Sequence, residues 1–87
     1  MITLCYHKNF LVSAKRLPEE HLDKLVRLLI VLQENPFQPL LHTKRLSGPL
    51  AGFFSFRITR DWRVIFQFND PKTIQLLRIR HRKDAYR

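Results

Sequence analysis

The sequence is poor in cysteine and glycine and contains no long apolar run. Cys5 is the only cysteine, so no disulfide can form within the chain, which fits a reducing compartment. No apolar stretch approaches the ~20 residues that a membrane-spanning helix needs. The first ten residues, MITLCYHKNF, lack the apolar core of a secretion signal. We therefore expect a cytoplasmic protein without membrane association.

Motifs for metals and cofactors are also missing. No paired spacing typical of metal ligands occurs among the four histidines, His7, His21, His42 and His81. The segment that contains Gly48 and Gly52 matches neither a phosphate-binding loop nor a dinucleotide-binding fingerprint, and both glycines are typical of turns. The sequence therefore predicts a domain without a metal or an organic cofactor.

Positive charge, in contrast, is abundant and unevenly placed. The chain has 16 Lys and Arg against 7 Asp and Glu, a net charge of +9. Residues 1–41 contribute only +1 of it, and residues 42–87 contribute +8. Such one-sided charge is typical of a protein that binds a polyanion, and it favours a nucleic acid partner. An acidic protein partner or a solvated basic surface is the alternative.

Apolar periodicity predicts one α+β domain over residues 1–87, in the order β-α-α-β-β-β. We expect a strand at residues 2–6, helices at 8–16 and 18–34, and strands at 53–59, 62–68 and 73–80, with turns at 60–61 and 69–72. The two helices should pack on one face of a mostly antiparallel, twisted sheet. The predicted core stripe of the second helix consists of Leu22, Leu25, Val26, Leu29 and Leu32. Three further apolar residues, Leu28, Ile30 and Val31, widen this stripe.

Alternation along the last three strands predicts two different sheet faces. The face toward the helices is expected to carry Phe54, Phe56, Ile58, Trp62, Val64, Phe66, Phe68, Leu77 and Ile79. The opposite, open face is expected to carry Ser55, Arg57, Arg63, Leu76, Arg78 and Arg80.

Three arginines of the open face are the first candidate site. Arg57, Arg63 and Arg80 fall on adjacent predicted strands, where cross-strand neighbours are about 5 Å apart. Like charges this close repel, and a phosphodiester offsets the repulsion because guanidinium groups bind phosphate in a planar, two-pronged way. Alternatively, these arginines only solvate the face, or they pair with Asp61, Asp70 or Asp84.

The C-terminal tail adds candidates for proton transfer. Histidine titrates near neutral pH, which suits His81 to this role, although a plain surface histidine would look the same. Tyr86 could stack on a base or exchange a proton, or it could simply pack against the sheet edge. Cleavage of RNA needs a base for the 2′-OH, stabilisation of the crowded phosphorane, and an acid for the leaving 5′-oxygen. Clustered cations can supply the second of these.

Four segments together resemble RelE-type toxins of bacterial and archaeal toxin–antitoxin pairs. They are Lys44-Arg45-Leu46-Ser47-Gly48, then Gly52 before an alternating strand, Asp61-Trp62-Arg63-Val64-Ile65-Phe66, and Ile79-Arg80-His81-Arg82-Lys83-Asp84-Ala85-Tyr86. The resemblance covers nearly the whole chain and includes the predicted element order.

The resemblance implies a metal-independent endoribonuclease that cleaves mRNA on the ribosome, with the 2′-OH as the nucleophile. Arg63, Arg80 and Tyr86 fall on family positions of this site, and Arg57 falls where relatives have lysine or histidine. Ser55 replaces a lysine of some relatives, so His81, Lys44 and Tyr86 remain candidates for the base. We expect further RNA contacts from Lys44, Arg45, Ser55, Arg82 and Lys83.

The resemblance also implies an acidic antitoxin as the cognate partner. Two other functions remain open. The ParE branch of the same superfamily shares the fold but inhibits DNA gyrase, and a relative without catalysis would only bind RNA or the ribosome. The cationic cluster with His81 and Tyr86 favours the ribonuclease.

Overall fold

A computed structural model describes residues 1–84 of the chain. Two α-helices, α1 (Lys8–Ala14) and α2 (Leu22–Glu34), follow a first strand, β1 (Thr3–Tyr6). Four strands then complete the fold: β2 (Lys44–Arg45), β3 (Phe54–Arg57), β4 (Trp62–Asp70) and β5 (Thr73–His81). Short 3₁₀ turns at Glu19–His21, Pro39–Leu41 and Gly48–Leu50 connect them. No helix within residues 1–84 combines the length and the apolar character needed to cross a membrane.

The strands form one sheet in the order β1-β5-β4-β3-β2. Only the β1–β5 pair is parallel, so the mostly antiparallel sheet with two helices is confirmed. Strand β2 was not predicted, because its two charged residues carry no apolar alternation. Gly48 and Gly52 in the β2–β3 connection have φ values of 63° and 94°, which confirms them as turn residues.

Helix α2 covers the sheet with a face different from the predicted one. Leu25, Leu28 and Leu32 are buried in the core, whereas Val26 and Ile30 are 58% and 54% exposed. The prediction that Leu28 lies outside the main stripe was therefore wrong. Apolar residues surround most of this helix, so their spacing alone did not determine which face meets the sheet.

Strand β5 contains an irregularity that changes the predicted side-chain alternation. Ile65 pairs with Arg78 but the next residue, Phe66, pairs with Leu76, so Leu77 is an extra residue in the ladder. Such a bulge shifts the alternation by one position. Leu76 is consequently buried in the core, as is Ile79, and the predicted placement of Leu76 on the open face was wrong.

Helix α1 is fixed to the part of β5 that follows the bulge. The Ser13 hydroxyl accepts a hydrogen bond from the Ile79 N–H (2.8 Å) and donates one to the Phe10 carbonyl (3.0 Å). This side chain satisfies a backbone donor that the β5 ladder leaves open, because β1 pairs with β5 only between Thr73 and Leu76. The end of β5 therefore has a fixed position relative to α1.

Candidate functional site

Three arginines form a continuous row across the open face of the sheet. Arg57 of β3 is the register partner of Arg63 on β4, and Arg63 is in turn the partner of Arg80 on β5. Direct cross-strand partners have Cβ atoms about 5 Å apart, so the three side chains leave the sheet side by side. Arg57 is exposed, while Arg63 and Arg80 are half-buried. The structure thus brings together the three arginines that the alternation predicted.

A second row lies one step along the same face. Lys44 of β2 pairs with Ser55, Ser55 pairs with Ile65, and Ile65 pairs with Arg78. Ser55, predicted to contact RNA, lies on this face but is only 4% exposed, because it is short and stands between longer side chains. Arg78 is exposed and was not selected from the sequence, although its spacing of two residues from Arg80 placed it on this face.

The segment after β5 folds back onto the arginine row. Arg80 donates from Nη1 to the backbone carbonyl of Asp84 (2.9 Å), which orients the guanidinium without neutralising its charge. Arg82 instead contacts a carboxylate: its Nε lies 3.3 Å from Asp61 Oδ1, and its backbone N–H donates to the Asp61 carbonyl (2.6 Å). Arg82 therefore connects the tail to the β3–β4 loop, whereas Lys83 is exposed.

His81 lies on the other side of the sheet from Arg80. It pairs with Trp62, whose side chain packs on the core, and the two rings meet edge to face at 5.0 Å. The Nδ1 atom of His81 accepts a hydrogen bond from the Lys83 N–H (3.3 Å). The structure thus separates His81 from the arginine row by the thickness of the strand, because neighbouring residues on a strand point to opposite faces.

Arg45, which was predicted to contact RNA, does not lie on the open face with the arginine row. Its strand partner is Phe54, and its guanidinium carbon lies 5.7 Å from the centre of the Phe54 ring. Phe54 faces the helix side, so Arg45 lies on that side of the sheet and its neighbour Lys44 lies on the open face. Tyr86, the remaining candidate, lies outside the described residues.

The assembled face can hold an anion with several negatively charged oxygens. Guanidinium groups in a row offer many donors and a permanent positive charge, which suits a phosphodiester and its transition state. Within residues 1–84, no three histidine, cysteine or acidic side chains cluster closely enough to hold a metal ion.

A family model describing the ParE toxin of the type II toxin–antitoxin system ParDE matches residues 6–86. The chain belongs to this toxin family. The resemblance to the RelE/ParE superfamily is thereby confirmed, and with it the role of toxin in a type II toxin–antitoxin system. Among curated proteins, none matches the chain significantly.

Solved structures of related toxins share the fold over at least 93% of the chain. YafQ from E. coli strain BL21(DE3) superimposes with a TM-score of 0.82 at 19% identity, and the match covers 100% of both chains. The RelBE2 toxin–antitoxin complex from Mycobacterium tuberculosis gives 0.76 at 26% identity over 93% of this chain and 98% of that one. The archaeal RelE–RelB complex from Pyrococcus horikoshii OT3 gives 0.76 at 24% identity over 97% and 98%.

These likenesses confirm the α+β fold of the toxin. They also show that the sheet face with Arg57, Arg63 and Arg80 belongs to a fold common to toxins whose sequences differ widely. In this toxin, the row of Arg57, Arg63 and Arg80 is the feature of the open face that is suited to chemistry on a phosphodiester.

Proposed function

We propose that this toxin is an endoribonuclease that cleaves mRNA on the ribosome, in the cytoplasm, without a metal ion. The observation that carries the proposal is the row of Arg57, Arg63 and Arg80, which are direct neighbours on three strands. Their mutual repulsion costs stability, and a bound phosphodiester offsets that cost. The other face of the sheet is covered by helix α2, so the RNA would lie on the open face.

The proposed reaction uses the RNA itself as the nucleophile. The 2′-oxygen attacks the neighbouring phosphorus as its proton passes to a base, and the bond from phosphorus to the 5′-oxygen breaks. A proton delivered to that oxygen gives a 5′-hydroxyl end, and the other fragment ends in a 2′,3′-cyclic phosphate. Arg63 and Arg80 would stabilise the extra negative charge of the phosphorane between these two steps.

We propose that Lys44 supplies the cation that a lysine at the position of Ser55 would provide. It is the strand partner of Ser55 and lies on the same face as Arg57. We expect Lys44→Ala to lower single-turnover cleavage by about 10-fold, since one charge-assisted contact is lost. Arg45→Ala is a matched control, because it removes the same charge from the opposite face of the same strand. Equal effects of the two substitutions would mean that only net charge matters.

The proposal is tested by mapping mRNA 5′ ends in cells after induction of the toxin. Cuts inside translated frames, in phase with codons, are expected for a ribosome-dependent nuclease. The family description also favours a second candidate, inhibition of DNA gyrase as in the ParE branch. Loss of DNA supercoiling with intact mRNA would establish that alternative and contradict the ribonuclease.

We also propose that a small acidic antitoxin covers helix α2 and the basic face. Leu22, Val26 and Ile30 form an exposed apolar stripe on α2, and the chain carries a net charge of +9. Val26→Asp and Ile30→Asp should each weaken antitoxin binding by ~10-fold or more in a pull-down with the neighbouring gene product. Each substitution would bury a carboxylate in the apolar interface with the antitoxin. Cleavage by the free toxin should not change. Unchanged binding would place the antitoxin elsewhere.

A further inference from the structure

An open cleft of about 430 Å³ lies between helix α1 and the end of β5. Its first wall is formed by Asn9, Val12 and Ser13 of α1, which are three or four residues apart on one helix face, and by Arg16 from the turn after the helix. The hydrogen bond from the Ile79 N–H to Ser13 fixes this wall relative to the strand. The cleft has the size of a typical small-molecule site, and its walls are held in place by the fold.

The opposite wall is aromatic and joins the arginine row. Trp62 and His81 line it as an edge-to-face pair, and Arg80 lines both the cleft and the row. A molecule in the cleft can therefore contact Arg80, the residue that the cleft shares with the row, although Trp62 and His81 lie on the helix side of the sheet. This continuity distinguishes the cleft from an isolated surface depression.

The charges of the lining select for an anion. Arg16, Arg78 and Arg80 contribute three positive charges, and Asp84 contributes one negative charge. Within residues 1–84 the guanidinium of Arg16 contacts no carboxylate, so its charge is available to a ligand. Arginines beside an aromatic wall suit a nucleotide, because the base packs on flat rings while its phosphate binds guanidinium groups.

We propose that this cleft binds the unpaired nucleotide next to the scissile phosphate, with its base near Trp62 and its phosphate near Arg16. The inference rests on the proposed ribonuclease function and adds a base-binding subsite to it. Asn9 offers an amide to the polar edge of the base. The cleft would thereby influence which sequences the toxin cuts, while the arginine row acts on any phosphodiester.

Trp62 is the only tryptophan of the chain, so its fluorescence reports on the cleft. The probe is a 2′-deoxy trinucleotide, which cannot be cleaved because it lacks the nucleophile. Titration into the purified toxin should give a saturable change in fluorescence. Arg16→Ala should weaken the apparent affinity by about 10-fold, because a charge-assisted phosphate contact is lost. Lys15→Ala, which removes a neighbouring charge that does not line the cleft, should stay within about twofold of wild type.

Two further probes separate a base from a plain anion. An abasic trinucleotide of the same charge and a hexa-aspartate peptide should leave the fluorescence unchanged. The proposal is overturned if either probe reproduces the change, if Arg16→Ala binds like wild type, or if wild type shows no change. The probe is not cleaved, so its binding is measured independently of nuclease activity. If the probe binds the cleft but mRNA stays intact in cells, only the proposed nuclease activity is rejected. If mRNA is cleaved but the probe does not bind, only the proposed cleft is rejected.

Discussion

Replacing either Arg63 or Arg80 with alanine is expected to lower single-turnover cleavage on programmed ribosomes by ~100-fold or more. This is the range for loss of one preorganised contact to transition-state charge. Both side chains project from the open face beside each other, and both residues are half-buried. Solvent therefore screens their charges less than the charge of an exposed residue. Binding to the ribosome should fall much less, because many other cations contribute to it.

Arg27→Ala is the matched control for both variants. Arg27 is exposed on helix α2, which covers the opposite side of the sheet, so its loss removes the same charge far from the row. Circular dichroism establishes that each protein is folded. A folded Arg63 or Arg80 variant that cleaves at the wild-type rate would reduce that arginine to a surface role, and an equal loss in Arg27→Ala would indicate a general effect of charge.

The row itself was predictable because a strand has a strict period of two. Arg57 lies between Phe56 and Ile58, and Arg63 lies between Trp62 and Val64. These apolar neighbours fix the face of each arginine once the apolar side is assigned to the core. The same rule separates Lys44 from Arg45 and His81 from Arg80. The sequence prediction placed these neighbours in one site, whereas the register of the sheet divides them between its two faces.

Other features depend on packing that no local pattern encodes. The extra residue at Leu77 moves Leu76 into the core, and nothing in the apolar run around it marks that position. Helix α2 is apolar on most sides, so only its contact with the sheet selects Leu28 rather than Val26 as a core residue. The cleft also could not be predicted from a local pattern, because α1 and the end of β5 come together only in the folded chain.

Tyr86→Phe is expected to lower single-turnover cleavage by ~100-fold, the lower part of the range for loss of a general acid or base. The resemblance to RelE-type toxins predicts a role for Tyr86, which follows Arg80, Arg82 and Lys83 in the sequence. Neighbouring cations stabilise a phenolate, which favours transfer of the phenolic proton. His81 lies behind the strand against Trp62, and this leaves Tyr86 and Lys44 as the better candidates for the base.

The substitution separates chemistry from stacking, because phenylalanine keeps the ring and loses only the hydroxyl. Tyr6→Phe is the matched control: it makes the same change in the other tyrosine, which lies on edge strand β1 and packs against Phe10 with ring centres 5.7 Å apart. Tyr86→Leu removes the ring as well. If Tyr86→Phe cleaves like wild type while Tyr86→Leu is slow, then Tyr86 only stacks on the RNA. Lys44 would then be the remaining candidate on the open face for the group that accepts the 2′-OH proton.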